Sequence, residues 1–374
     1  MIGSAVYTQG KRSVPIQREA QNPSPAGEGA KKPHFKLHPF PAHCTTSQKR
    51  YVIMSALYRQ MPKRGDVKTL YYSHPDFLFH ETGTGHPECA DRLRYIEKAL
   101  AAPEFSSLIR QAPPLGTEQQ IRLIHPQFHI DAILKAIPEQ GKHYLDPDTV
   151  LSPGSRLAAF RAVGAVCDAV DIVLAGKADN AFCAIRPPGH HAEPQLAMGF
   201  CLFNNIAIAA SYARQHYQLE RIAIVDFDVH HGNGTQMAFY NQPNVLYASS
   251  HEMPNYPGTG YPAETGVGNI INVPLAAGDS GVEFRQKYNN IILPAVKSFS
   301  PDLLLISAGF DAHKNDPLAS IMLDEDDFKW ITQELMAIAD NCCNGRIISA
   351  LEGGYNLKAL AASVAVHVET LMTG

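Results

Sequence analysis

The stretch Arg221–Gln236, RIAIVDFDVHHGNGTQ, constrains what this chain can fold into more than any other. Ile222 to Asp226 are mostly apolar and partly β-branched, which reads as a buried strand of a parallel sheet, and a polar turn with Gly232 and Gly234 ends it. If strand geometry continues, its period of two sets Asp226, Asp228 and His230 on one face and Phe227 and Val229 on the other. Buried carboxylates without partners are costly, so two of them converging with an imidazole make sense mainly around a cation. The alternative is an ordinary Asp/His turn at the mouth of a sheet.

Around this stretch the chain repeats one unit, in which an apolar strand leads into a polar loop and often on to a helix. NAFCAI (180–185) leads into RPPGHHA and then the helix NNIAIAASYARQHY; NVLYAS leads into SHEMPNYPGTG; DLLLIS (302–307) leads into AGFDAHKNDP; RIISA (346–350) leads into LEGGYN and a final helix over 357–372. Upstream, TLYYS reads as a short strand and HETGTGHPE as a loop containing His80, His86 and Glu88. Helices are expected from about Ala90 to Leu100, Phe128 to Ile137 and Ser155 to Ala175. The fold class that follows is α/β: a single doubly wound domain with a mostly parallel central sheet and helices on both faces. Ligands of such sheets bind beyond the carboxyl ends of the strands, and all five polar loops leave strands at that end.

The front of the chain is different. Residues 1–65 carry 11 Lys/Arg against two acids, Glu19 and Glu28, leaving 21 bases and 34 acids for the remainder. This front is rich in Pro, Gly, Ser and Gln without a sustained period, so it reads as a disordered basic extension to a catalytic domain over 66–374. It is expected to be a dispensable tail, an upstream extension of a protein starting at Met54 or Met61; an organellar transit peptide or a binding arm is the alternative. The acidic remainder argues against a nucleic-acid partner. No apolar run is long enough for a membrane span, so a cytoplasmic protein is expected. The seven cysteines form no C-x-x-C pair, which fits reduced thiols better than a disulfide frame.

Asp228, His230 and Asp311 supply two carboxylates and one imidazole, the count expected of a catalytic zinc with an open position. In RPPGHH, Pro187 and Pro188 stiffen the approach to His190 and His191, and Gly189 lets the backbone turn. Asp226 and Asn233, not needed as ligands, are available to orient the two rings. Tyr355, in EGGYN, could donate to an oxyanion.

RPPGHHA, GFCLFNN, DFDVHHGNGTQ, YPGTG, SAGFDAH and LEGGYN, in this order, resemble the zinc-dependent histone deacetylase family, whose fold is similar to that of arginase. Class II enzymes and the bacterial deacetylase-like amidohydrolases are the most similar branches, over roughly residues 70 to 374. The resemblance implies zinc on Asp228, His230 and Asp311, with His191 as general base and then acid. It implies His190 as the electrostatic partner of His191, with Asp226 beside His190 and Asn233 beside His191; class I members carry Asp at the position of Asn233. Tyr355 matches the tyrosine of the transition state, where some class II branches have His. Phe200 and Tyr256 match the aromatics of the acyl-lysine tunnel, the second of which is usually Phe. Gly199 would accept the scissile amide N–H through its carbonyl, and Arg92 matches an arginine at the inner end of the cavity. A family potassium site would use carbonyls of Asp228, His230 and Ser250, with Asp226 and the Ser249 hydroxyl.

The substrates so implied are acetyl-lysine proteins or peptides, or an acetylated small amine. Polyamine-specific relatives carry an acidic gatekeeper after the third zinc ligand; here, in KNDPLAS, that position is Leu318, which favours lysine side chains. A two-manganese ureohydrolase would want further acids where His231 and Asn233 stand. A non-catalytic acyl-lysine binder would not need the complete set of ligands, histidine pair and tyrosine.

Overall fold

The computed structural model describes residues 67–373, so the basic extension expected over 1–65 lies outside the described residues. Its strands are β1 (Thr69–Tyr72), β2 (Ile109–Gln111), β3 (His143–Tyr144), β4 (Val150–Leu151), β5 (Asn180–Cys183), β6 (Ile222–Asp226), β7 (Val245–Glu252), β8 (Ile270–Leu275), β9 (Leu303–Ala308) and β10 (Ile347–Leu351). β3 and β4 pair antiparallel as a small separate ribbon. The other eight make one sheet in the order β2-β1-β5-β10-β9-β6-β7-β8, and each pairing in it is parallel.

A parallel sheet buried on both sides needs apolar residues in both phases of the pleat, and β9, LLLISA, is buried throughout. The two phases meet different helices. On one face, Asn180 donates its side-chain amide to the Leu371 carbonyl at 2.9 Å and Phe182 meets His367 edge-on, both on the helix Leu357–Thr373. On the other, Tyr72, the register partner of Cys183, donates to Asp168 at 2.7 Å on the helix Ser155–Leu174.

The winding places the loops. From β1 the chain goes outward to β2, crosses by way of β5 to β6, runs outward again to β8, and returns to fill the centre with β9 and β10. Consecutive in the middle of the sheet therefore stand β5, β10, β9 and β6. Their carboxyl ends carry RPPGHHA, LEGGYN, AGFDAHKNDP and DVHHGNGTQ, which is where a doubly wound sheet opens a crevice.

One strand boundary differs from the sequence expectation. β7 runs on through Glu252, so Ser250, His251 and Glu252 extend the strand rather than starting the loop. β6 ends at Asp226, as expected, and Gly232 precedes the helix Asn233–Phe239. A further amphipathic helix, Glu325–Cys343, opens on a reciprocal cap between Asp324 and Asp327 and packs against Leu357–Thr373.

Candidate active site

Because β6 stops at Asp226, the pleat cannot carry the convergence of Asp226, Asp228 and His230. Side-chain oxygens do so instead, by capping the turn. Asp226 Oδ1 accepts the Asp228 N–H at 3.1 Å, Asp228 Oδ1 accepts the His230 N–H at 2.9 Å, and Asp311 Oδ1 accepts the Val229 N–H at 2.9 Å. Phe227 and Val229, facing away, are core residues. The remaining oxygens and the imidazole then face one another: His230 Nδ1 lies 3.2 Å from Asp228 Oδ1 and 3.1 Å from Asp311 Oδ2. Ligand atoms of Asp228, His230 and Asp311 all fall within 4.8 Å of one another, and all three residues are buried.

Glycines frame this cluster. A Cβ on Gly309 would stand 2.0 Å from Asp228 Oδ2, and one on Gly353 would stand 2.1 Å from Asp311 Oδ2. Gly353 also donates its N–H to Asp228 Oδ2 at 2.7 Å. Burial and the charge of Asp228 push Asp311 up to about 7, while the two carboxylates hold His230 up to about 10 against its own burial. The centre thus demands positive charge. A divalent cation on two carboxylate oxygens and one imidazole nitrogen meets that demand, and these residues fit a metal ion of the catalytic-zinc kind.

The histidine pair lies beside this cluster, its rings 4.0 Å apart. His190 Nδ1 is 3.0 Å from Asp226 Oδ2, which also accepts the Tyr247 hydroxyl at 2.9 Å; His191 Nδ1 is 2.9 Å from Asn233 Oδ1. Their surroundings push the two rings apart electrically. Burial opposes charge on both, but Asp228 and Asp226 overcome it at His190, which rises to about 10. At His191 burial wins, helped by the neighbouring His190 and His230, and the ring is held well below its ordinary value of 6.5. The surroundings thus favour the charged form of His190 and the neutral form of His191.

Tyr355 reaches the same place from the loop after β10. Its ring meets Phe200 edge-on at 5.8 Å, and the Arg92 guanidinium lies over it, 5.1 Å from the centroid. Burial and the charges of Asp311 and Asp228 push the phenol well above 10, so it remains a donor. Arg92 is fully buried and donates to the carbonyls of Gly354 and Glu352, on either side of Gly353. Phe200 also packs on His86, while Tyr256, half exposed, stands edge-on to His191 at 5.0 Å. One aromatic thus packs on Tyr355 and the other on His191. Gly199 has φ 56°, and a Cβ there would stand 2.6 Å from the His191 ring, so only glycine suits the position. Leu318 lies at the surface, its N–H bonded to Asp316.

The residues expected around potassium are neighbours, Asp226 pairing with Ser249 across β6 and β7. The Ser249 hydroxyl is bonded to His251 Nδ1 at 2.9 Å, and that of Ser250 to Tyr288.

Sequence reasoning passes over several residues that hold the site. Glu352 accepts the N–H groups of Gly189 and His190 at 2.7 and 3.1 Å, tying LEGGYN to RPPGHH. Asp316 accepts those of Tyr355 and Asn356 with Oδ2 and that of Leu318 with Oδ1. Glu88 joins Arg186 and Arg92 in a fully buried ion cluster, and Arg186 donates also to the carbonyls of Phe77 and His80. A buried acid or arginine within a motif already marked by glycines was the signal available for Arg186 and Glu352.

Known proteins resemble this chain over most of its length. A family model described as the histone deacetylase domain matches residues 86–371. The histone deacetylase-like amidohydrolase of Pseudomonas aeruginosa is 38% identical over 279 residues, covering 73% of this chain and 73% of its own. A chloroplastic histone deacetylase 14 of Arabidopsis thaliana is 36% identical over 81% of this chain and 76% of its own. The crystal structure of the HDA15 HD domain superposes with a TM-score of 0.78 at 35% identity, covering 82% of this chain and 90% of that one. With the Asp–His–Asp cluster, the histidine pair and the tyrosine at the sheet's carboxyl end, the chain belongs to the histone deacetylase family and is a hydrolytic deacetylase.

Proposed function

We propose that the chain, over residues 66–374, removes acetyl groups from lysine side chains of proteins or peptides, with zinc on Asp228, His230 and Asp311. The observation that carries the reading is the placing of His190 and His191 beside the three ligand atoms, each ring oriented by its own partner, His190 by Asp226 and His191 by Asn233. Zinc held there would supply Lewis acidity that polarises the acetamide carbonyl and makes water a better nucleophile. His191, bonded through Nδ1 to Asn233, offers Nε2 to take a proton from the attacking water. The same nitrogen then delivers it to the amine as the C–N bond breaks, releasing acetate and free lysine. His190, paired with Asp226, supplies a fixed positive charge. The Tyr355 hydroxyl donates to the oxyanion formed at the carbonyl, and the Gly199 carbonyl accepts the scissile N–H. Phe200 and Tyr256 line the passage of the lysine chain, with Arg92 at its inner end.

Potassium on the carbonyls of Asp228, His230 and Ser250, with Asp226 and Ser249, would shore up the turn that presents the ligands. The reading places the work in the cytoplasm, an organelle being the alternative raised by the basic, acid-poor residues 1–65. Among the described residues no helix is long and apolar enough to cross a membrane.

Leu318 favours lysine over polyamine, since a cationic amine chain gains nothing from an aliphatic gatekeeper. Rates on an acetyl-lysine peptide and on N-acetylputrescine test this. The peptide should win in kcat/KM by at least about tenfold, or ~1.4 kcal/mol of transition-state binding. Faster turnover of N-acetylputrescine would reverse the substrate assignment.

A further inference from the structure

Glu193 stands two residues beyond the histidine pair and has no part in the chemistry above. It lies in a tight turn, exchanging backbone hydrogen bonds with Leu196 at 2.9 and 3.2 Å. Its Oε1 accepts Nδ2 of Asn233 at 2.8 Å, with Met198 Sδ 3.3 Å from the same nitrogen. The other end of that carboxamide, Oδ1, faces His191 Nδ1 at 2.9 Å.

A carboxamide has nearly the same shape either way round, and either end can bond a neutral imidazole nitrogen. A carboxylate cannot donate. Were Asn233 turned over, its Oδ1 would meet Glu193 Oε1, acceptor against acceptor, and its Nδ2 would face His191 Nδ1. The ring proton of His191 would then sit on Nε2, the nitrogen that has to be bare to take a proton. We infer that Glu193 is a positioning residue: acting through the Asn233 carboxamide, it fixes the Nδ1–H tautomer of His191 and keeps Nε2 free as the base. The inference rests on the reading of His191 as proton acceptor.

An aspartate at position 233 would need no such help, because a carboxylate accepts from Nδ1–H in either orientation. Beside it, Glu193 would be a second negative charge. The effect of removing Glu193 should therefore change sign with residue 233, an outcome that a merely structural glutamate would not give.

The test is a double-mutant cycle on zinc-loaded protein with an acetyl-lysine peptide. In the natural background, Glu193→Ala should lower kcat about tenfold, the scale of a lost charge-assisted hydrogen bond, with KM and melting temperature nearly unchanged. In the Asn233→Asp background the same change should leave kcat unaltered or raise it. Glu193→Gln keeps the shape but can donate, so it should lower kcat with Asn233 and not with Asn233→Asp, which covers a poorly folded alanine variant. Equal fold losses in both backgrounds, or no loss with Asn233, would overturn the inference. If instead the natural protein shows no zinc-dependent turnover at all, it is the proposed function that fails.

Discussion

Tyr355 is held by three kinds of contact, and none of them uses its hydroxyl. The ring is flanked by Phe200 and the Arg92 guanidinium, and the backbone N–H is bonded to Asp316. A phenol anchored by ring and backbone, with its hydroxyl left for another partner, suits a donor that acts in the transition state. Tyr355→Phe should accordingly cut kcat by roughly 10²- to 10³-fold, as loss of one oxyanion donor does elsewhere, with KM nearly unchanged. Thermal melting should stay within a degree or two, because the anchoring contacts survive. A kcat within about threefold of the natural enzyme would remove Tyr355 from the chemistry.

At the scale of elements, the ion cluster around Glu88 links three segments: the loop after β1, the helix Asp91–Ala99 and the strand-to-loop junction at Arg186. Burial opposes ionisation of Glu88, but Arg186 and then Arg92 overcome it and hold the carboxyl down at about 2. A folded-state value below the unfolded one stabilises the fold above the unfolded pKa, near 4.5, and that contribution fades as the pH falls toward about 2. Glu88→Gln leaves two buried guanidinium groups without their carboxylate and should cost on the order of 3–5 kcal/mol at neutral pH. Calorimetry over a pH series checks the sign: the gap between the two proteins should narrow between about 4.5 and 2. A gap that widens toward acid pH would contradict the assigned charge state.

What the sequence showed at this scale follows the reach of each interaction. Strand-loop-helix units are local, and β-branched runs punctuated by Gly and Pro marked β5, β6, β9 and β10 to within a residue or two. The cluster of Asp228, His230 and Asp311 was legible because two lie in one turn and the third lies in a matching loop. Glu352 and Asp316 were not, since Glu352 holds backbone amides 162 and 163 residues away and Asp316 holds amides 39 and 40 residues away, with no local mark of doing so. The turn at Asp228 shows another limit: alternation grouped Asp226, Asp228 and His230, yet hydrogen bonds to backbone amides, rather than the pleat, bring them together. β2, three residues at the sheet edge, lacks an apolar run, and that of β8 is interrupted by Asn272 and Pro274.

For the whole molecule, the winding order is what makes a site. β9 and β10 enter last and fill the centre, so Asp311 and Tyr355 meet Asp228, His230 and the histidine pair only when the sheet is complete. Zinc binding therefore reports on the assembled fold as well as on the donor set. Asp228, His230 and Asp311 are proposed to hold one zinc that deacetylation requires. The direct measurement is a zinc titration of chelator-stripped protein, following bound metal and acetate release from an acetyl-lysine peptide together. Both should rise in parallel and level off at about one zinc per chain, and Asp228→Ala and Asp311→Ala should each lose most of the binding and the turnover. Full turnover by the stripped protein, or a full zinc complement retained in both variants, would contradict it.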